Sequence, residues 1–124
     1  MPKYGEKVLN TAKYNKISIA CTLTGLNEKV FKPNGVSATF FGSYLFHRRV
    51  SGVRVCAHDA DGVRKSISGT EFQNYGSHCN DYPDLPYFTT AATSGQTREE
   101  IDIYLSRLEE ALVHFTSGNP FSAT

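Results

Sequence analysis

Ile17, Ile19, Cys21 and Leu23 alternate with smaller or polar residues, the period-two pattern of a half-buried strand. The preceding stretch, 3–12, carries only Val8 and Leu9 as a thin apolar stripe. That predicts the tail of a helix, marginal on its own. Gly25 and the stretch 27–35, which holds Pro33, break the pattern. Residues 36–46 then satisfy two periods at once. Val36, Phe40 and Tyr44 recur at helical spacing, while Val36, Ala38, Phe40, Gly42, Tyr44 and Phe46 alternate. Asn34 could cap a helix starting near Gly35, so the segment is read as a helix, with a strand left open as the alternative.

Val50-Ser51-Gly52 reads as a turn and 53–57 as a strand. Asp59-Ala60-Asp61-Gly62 reads as a second turn, because Asp-Gly accepts positive φ, and this supports an antiparallel hairpin there. Residues 64–68 and 70–75 read as further strands with Gly69 as a bulge between them. A polar, proline-bearing loop over 77–86 leads to a strand over 86–92. The last element is the clearest. Thr97 with Glu100 three residues on makes a capping box. Ile101, Leu105, Leu108, Leu112 and Phe115 mark one helical face, and Gly118 and Pro120 end the helix. The expected architecture is α+β: a two-layer antiparallel sheet with helices on one face, spanning 1–118, and a disordered tail over 119–124.

Composition narrows the function classes. A chain of 124 residues suits one domain, and 40% apolar residues can build a core. Eight Phe and seven Tyr can fill that core in the absence of Trp. The net charge is +1, so a nucleic-acid or membrane partner would have to use a local patch. No stretch approaches the roughly 18 apolar residues of a membrane span. The N-terminus lacks the apolar run of a signal peptide. Cys21, Cys56 and Cys79 are widely spaced and odd in number, which argues for a reducing compartment, and the expected location is the cytoplasm. His78 beside Cys79 invites a metal reading, but there is no C-x-x-C or H-x3-H, so no metal site is expected.

Candidate chemistry is sparse. There is no P-loop, no Gly-x-Ser-x-Gly and no G-x-G-x-x-G. His78 and Cys79 are adjacent, so their side chains diverge and do not form a nucleophile and base pair. No catalytic residue is assigned. His47-Arg48-Arg49 is the tight basic cluster, and a planar guanidinium suits phosphate or guanine. A pair of solvated surface arginines is the plainer reading. Arg54, between Val53 and Val55, is either exposed on the polar side of a strand or aimed at an anion. The loop Ser77-His78-Cys79-Asn80-Asp81-Tyr82-Pro83 is either a hydrogen-bonded turn or the rim of a site shared with another domain, with His78 and Asn80 as the rim residues.

The segment from Gly42 to Val55, with Phe46-His47-Arg48-Arg49-Val50-Ser51-Gly52-Val53-Arg54-Val55 at its heart, resembles the pattern Leu-Gly-Ser-Met-Leu-Phe-x-Arg-x-Val-Ser-Gly-x-Arg-Val of the O-phosphoseryl-tRNA(Sec) selenium transferases. Phe41 stands for the Leu and Tyr44 for the Met. The loop from Ser77 to Pro83 is similar to the family's Ser-His-Thr-Asn-Asn-Tyr-Pro, and Asn15-Lys16-Ile17-Ser18-Ile19-Ala20 to its Asn-Pro-Ile-Ser-Leu-Ala. Glu100-Ile101-Asp102 and Arg107-Leu108 fit its final helix. These motifs run in order over nearly the whole chain. The stretch 27–35 departs slightly from the family spacing.

The resemblance implies the small C-terminal domain of a fold-type I pyridoxal-phosphate enzyme. That enzyme converts O-phosphoseryl-tRNA(Sec) to selenocysteinyl-tRNA(Sec) with selenophosphate. The implied partners are the tRNA(Sec) acceptor end, N-terminal and central pyridoxal-phosphate domains, and other copies in a homotetramer, with no membrane. Arg48 falls on the family Arg that reads the discriminator base, flanked by His47 and Arg49. His47 differs from the Thr of some members. A family Lys late in the final helix has no counterpart in Phe115-Thr116-Ser117. The cofactor lysine lies upstream of the matched region in the family, so pyridoxal phosphate is expected in the parent enzyme and not in this chain. Two other readings stay open, a free-standing RNA-binding module and an oligomerisation domain. Mixing the chain with pyridoxal phosphate and borohydride should trap no lysine stoichiometrically; one lysine labelled at unit stoichiometry, mapped by mass spectrometry, would overturn this.

Overall fold

The computed structural model describes residues 1–9, 15–57, 64–73, 85–118 and 120–121. Strand β1 (Ser18–Thr22) pairs antiparallel with β5 (Tyr87–Ala91), and β2 (Arg54–Cys56) pairs with the other edge of β5, giving the order β1-β5-β2. Alternation sorts the registers into two faces. Cys21, Phe88 and Val55 align on one, and Thr22, Tyr87 and Cys56 on the other. The first row joins the core.

Helix α2 (Phe40–His47) lies on that row: Phe41 meets Phe88 with ring centroids 5.6 Å apart. A side chain on Gly42 would bring its Cβ to 3.1 Å from Val55 Cγ2, so glycine lets α2 sit close to β2. Helix α3 (Arg98–Thr116) supplies Leu108, Ala111, Leu112 and Phe115, the i, i+3, i+4, i+7 stripe of a buried face. Its capping box is formed. Thr97 Oγ1 accepts from Glu100 N at 3.2 Å, and Glu100 Oε2 accepts from Thr97 N at 2.7 Å. The bond from Thr97 N, with a second from the Thr97 hydroxyl, holds the Glu100 carboxyl below its usual range. Phe115 gathers the aromatic core, meeting Phe31 at 5.3 Å, Phe41 at 5.9 Å and Tyr44 at 4.8 Å.

Strands β1, β2 and β5, the capping box and both helices bear out the sequence reading, and the architecture is α+β with small antiparallel sheets. Other expectations are corrected. Residues 3–9 are not helical beyond a 3-10 turn at Pro2–Tyr4. Gly5 turns left-handed at φ 77, and Glu6 is buried, accepting from Thr22 Oγ1 at 2.6 Å and Leu26 N at 2.8 Å. Lys7 and Leu9 then bond backbone to backbone with Thr22 and Ala20. A free sheet edge and buried partners outcompete a helix too short to be stable. The remainder of that expected helix, 10–12, lies outside the described residues.

The stretch read as a break is helical: α1 (Thr24–Leu26) runs into a π-turn (Asn27–Phe31) and a 3-10 turn (Lys32–Asn34). Leu26, Val30 and Phe31 are buried, which outweighs the poor propensities of Gly25 and Pro33. Asn34 caps nothing at the start of α2. Its side chain donates back to Val30 O at 2.7 Å, and Gly35 at φ 66 closes the preceding turn. α2 therefore starts five residues past the expected point.

The hairpin reading also changes. β3 (Arg64–Ile67) and β4 (Thr70–Gln73) bear out the strands expected over 64–68 and 70–75, but they pair with each other in a separate two-stranded sheet. Ser68 at φ 51 and Gly69 at φ 80 are its two-residue turn, with Gly69 a turn residue in place of a bulge. The named partner of β2 is β5, and Asp59 to Gly62 lie outside the described residues. Ile17, Ile19 and Leu105, expected inside, are 68%, 44% and 51% exposed. All three line a hollow of about 280 Å³, together with Ile101 and Tyr104. Within the tail expected to be disordered, Phe121 packs against Phe31, Phe40 and Phe115. Replacing Leu108 by Ala should cost about 2–5 kcal/mol by denaturant titration, and an unchanged midpoint would show that α3 does not close the core.

Candidate nucleic-acid interface

The basic cluster sits where α2 ends against α3. Arg49 N bonds to Phe46 O at 2.9 Å and Val50 N to Leu45 O at 3.0 Å. With Arg49 at φ 61 these are the paired bonds of a Schellman turn. Glycine is the usual occupant of the left-handed position. Val50 is 5% exposed, so the chain dives back into the core one residue after the turn. Arg107 on α3 donates Nη1 to Arg49 O at 3.1 Å and braces the strained residue. His47, Arg48 and Arg49 are thus splayed outward at a rigid corner, and all three are exposed.

Arg48 is the most constrained of them. Its guanidinium lies 4.7 Å over the Tyr44 ring, and its Nη1 is 3.4 Å from Glu110 Oε2. Tyr44 stacks on His114 with centroids 4.9 Å apart and planes 13° from parallel. Tyr44 and Arg48 are one turn apart on α2, and Glu110 and His114 are one turn apart on α3. The two helices therefore bring a cation, two stacked rings and a carboxylate into one surface feature. An arginine held over a ring keeps its hydrogen-bonding edge presented and loses less freedom on binding.

The structure groups His47, Arg48 and Arg49. It sets Arg54 apart: that residue is paired with Thr89 and points to the sheet face opposite Val55, away from α2. His78 and Asn80 lie outside the described residues. Sequence reasoning missed Tyr44, Glu110 and His114 as site residues. Their signal was two i, i+4 pairs, which local spacing supplies, and a helix crossing, which it does not.

Nothing else described competes as a chemical centre. Cys21 and Cys56 are buried free thiols, and burial pushes the Cys21 thiol up, away from the thiolate a nucleophile needs. Among the described residues there is no cluster of three or more His, Cys, Asp or Glu able to hold a metal, and no helix long and apolar enough to cross a membrane.

Residues 2–113 match the family model of O-phosphoseryl-tRNA(Sec) selenium transferase, SepSecS. The chain belongs to this family. The matched range takes in α2, the Arg49 turn and α3 as far as Val113. Among curated members of the O-phosphoseryl-tRNA(Sec) selenium transferase family, one from Dictyostelium discoideum is 40% identical over 114 residues, covering 85% of this chain and 23% of that protein. Members from Caenorhabditis briggsae and Caenorhabditis elegans are each 31% identical over 101 residues, covering 82% of this chain and 19% of theirs. The chain therefore spans about a fifth of the length of these relatives.

Proposed function

We propose that this chain is the tRNA-facing, C-terminal part of a transferase that converts O-phosphoseryl-tRNA(Sec) to selenocysteinyl-tRNA(Sec). Family membership supports the reaction class, since the relatives are named for it. The Arg48 corner carries the tRNA-facing reading: an exposed guanidinium held over the Tyr44 ring, beside a turn that Arg107 braces at the Arg49 carbonyl. In this reading Arg48 uses two N–H groups on the acceptor edge of the discriminator base, while His47 and Arg49 flank it and meet the backbone.

Pyridoxal phosphate supplies the electron sink for such chemistry when bound. Lys3 and Lys32 do not fit it. Lys3 and Lys32 are exposed and paired with Glu109 and Glu28. The Glu109 carboxylate and the Tyr4 hydroxyl raise the Lys3 pKa, the reverse of what an imine-forming amine needs. No step is therefore assigned to the cofactor on this chain.

Val8, Ile17, Ile19 and Leu105 leave apolar surface open along the β1 and α3 side. That supports docking of this face against N-terminal and central domains, or against further copies in a tetramer.

The test is Arg48→Ala and Arg49→Ala in the full-length protein, titrated with tRNA(Sec) carrying either discriminator base. Arg48→Ala should cost about 1–3 kcal/mol and act mainly on the tRNA with the correct base. Arg49→Ala should weaken both tRNAs alike and lower the salt slope by about one unit. Equal binding of both tRNAs by Arg48→Ala and wild type contradicts the assignment.

A further inference from the structure

We infer that Glu110 is a specificity-determining residue that makes Arg48 a reader of a neutral base edge and keeps it from serving as a general phosphate anchor. The inference rests on the reading of Arg48 just given. A bare exposed arginine binds phosphate on any RNA, because the attraction is one of charge and carries no sequence information. Arg48 is not bare. Glu110 Oε2 lies 3.4 Å from its Nη1, and both side chains remain reachable, 40% and 59% exposed.

The neighbouring carboxylate in sequence projects elsewhere and is already engaged. Glu109 is paired with Lys3 and also accepts from the Tyr4 hydroxyl at 3.1 Å. Glu110 is thus the carboxylate that answers the Arg48 charge. A phosphate approaching Arg48 would bring its own negative charge up against Glu110 and would have to displace it. A guanine edge offers two neutral acceptors and meets no such repulsion. The guanidinium has five N–H groups, so it can keep its bond to Glu110 and still present two parallel donors. Specificity here comes from a repulsive element set against the wrong ligand as much as from an attraction to the right one.

Tyr44 is the positioning residue in this arrangement. Its ring supports the guanidinium at 4.7 Å and is itself backed by His114 at 4.9 Å. The ring contact and the Glu110 contact restrain the guanidinium at two points. Together they decide which N–H groups face outward.

The experiment measures affinity of the full-length protein for tRNA(Sec) with each discriminator base, across a range of salt concentrations. Four variants are compared: Glu110→Gln, Glu110→Asp, Tyr44→Phe and Tyr44→Ala. Glu110→Gln keeps the shape and removes the charge, so binding to both tRNAs should tighten and the salt slope should steepen by about one unit. The ratio between the two bases should fall by about threefold or more, within the range that one bidentate base contact supplies. Glu110→Asp keeps the charge and should retain the shallow slope. Tyr44→Ala should lower the ratio with no change of slope, and Tyr44→Phe should restore it. If Glu110→Gln leaves slope and ratio unchanged, or weakens both tRNAs, the role of Glu110 is wrong. Arg48→Ala in the same series separates the two failures. A lost ratio in Arg48→Ala beside an unaltered Glu110→Gln overturns only this inference, whereas an unaltered Arg48→Ala overturns the reading beneath it.

Discussion

Arg49 holds a backbone conformation that disfavours any residue with a Cβ by roughly 1–2 kcal/mol, and α2 reverses into β2 through it. The left-handed residue closes the Schellman bonds, returns Val50 to the core and aims Arg48 outward. Strain at a surface position persists only where the surroundings determine it. Here they do so from both sides. Val50 is buried immediately after the turn, and Arg107 reaches across from α3 to the Arg49 carbonyl. The same residue that costs stability thereby sets the geometry of the basic corner.

The turn would present nothing rigid if α2 and α3 could slide. Phe115 prevents that by filling the crossing, with Phe31, Phe41 and Tyr44 around it. Gly42 lets α2 lie close on Val55, which ties the helix to the sheet. Tyr44 belongs to both systems. Its ring meets Phe115 in the aromatic core and also contacts His114 and Arg48. Core packing and the placement of Arg48 are therefore linked through one side chain.

Much of this was legible in the chain where the determinants are local. The alternation from Ile17 to Leu23, the Thr97 and Glu100 capping box and the stripe at Leu108, Leu112 and Phe115 all depend on neighbours within a few residues. The basic cluster could be seen as well, but not its support. Arg48 and Glu110 are 62 positions apart, and Lys3 and Glu109 are 106 apart, so no local period reports them. The N-terminal segment was misread for the same reason. Glu6 looks like a surface residue in sequence, yet it is buried on partners 16 and 20 positions away. The stretch from Thr24 to Asn34 was misread because tertiary burial of Leu26, Val30 and Phe31 overrode Gly25 and Pro33.

In the proposed function the corner between α2 and α3 faces the acceptor end of tRNA(Sec). Site-directed photo-cross-linking tests it most directly. A photoreactive base is placed at the discriminator position, the tRNA is bound to the full-length protein, and the labelled peptides are mapped by mass spectrometry. The account expects cross-links in the segment 44–52, with further labelling on α3 around Glu110 and His114. Efficient cross-linking that falls only elsewhere, for instance on the hairpin of β3 and β4, would contradict it.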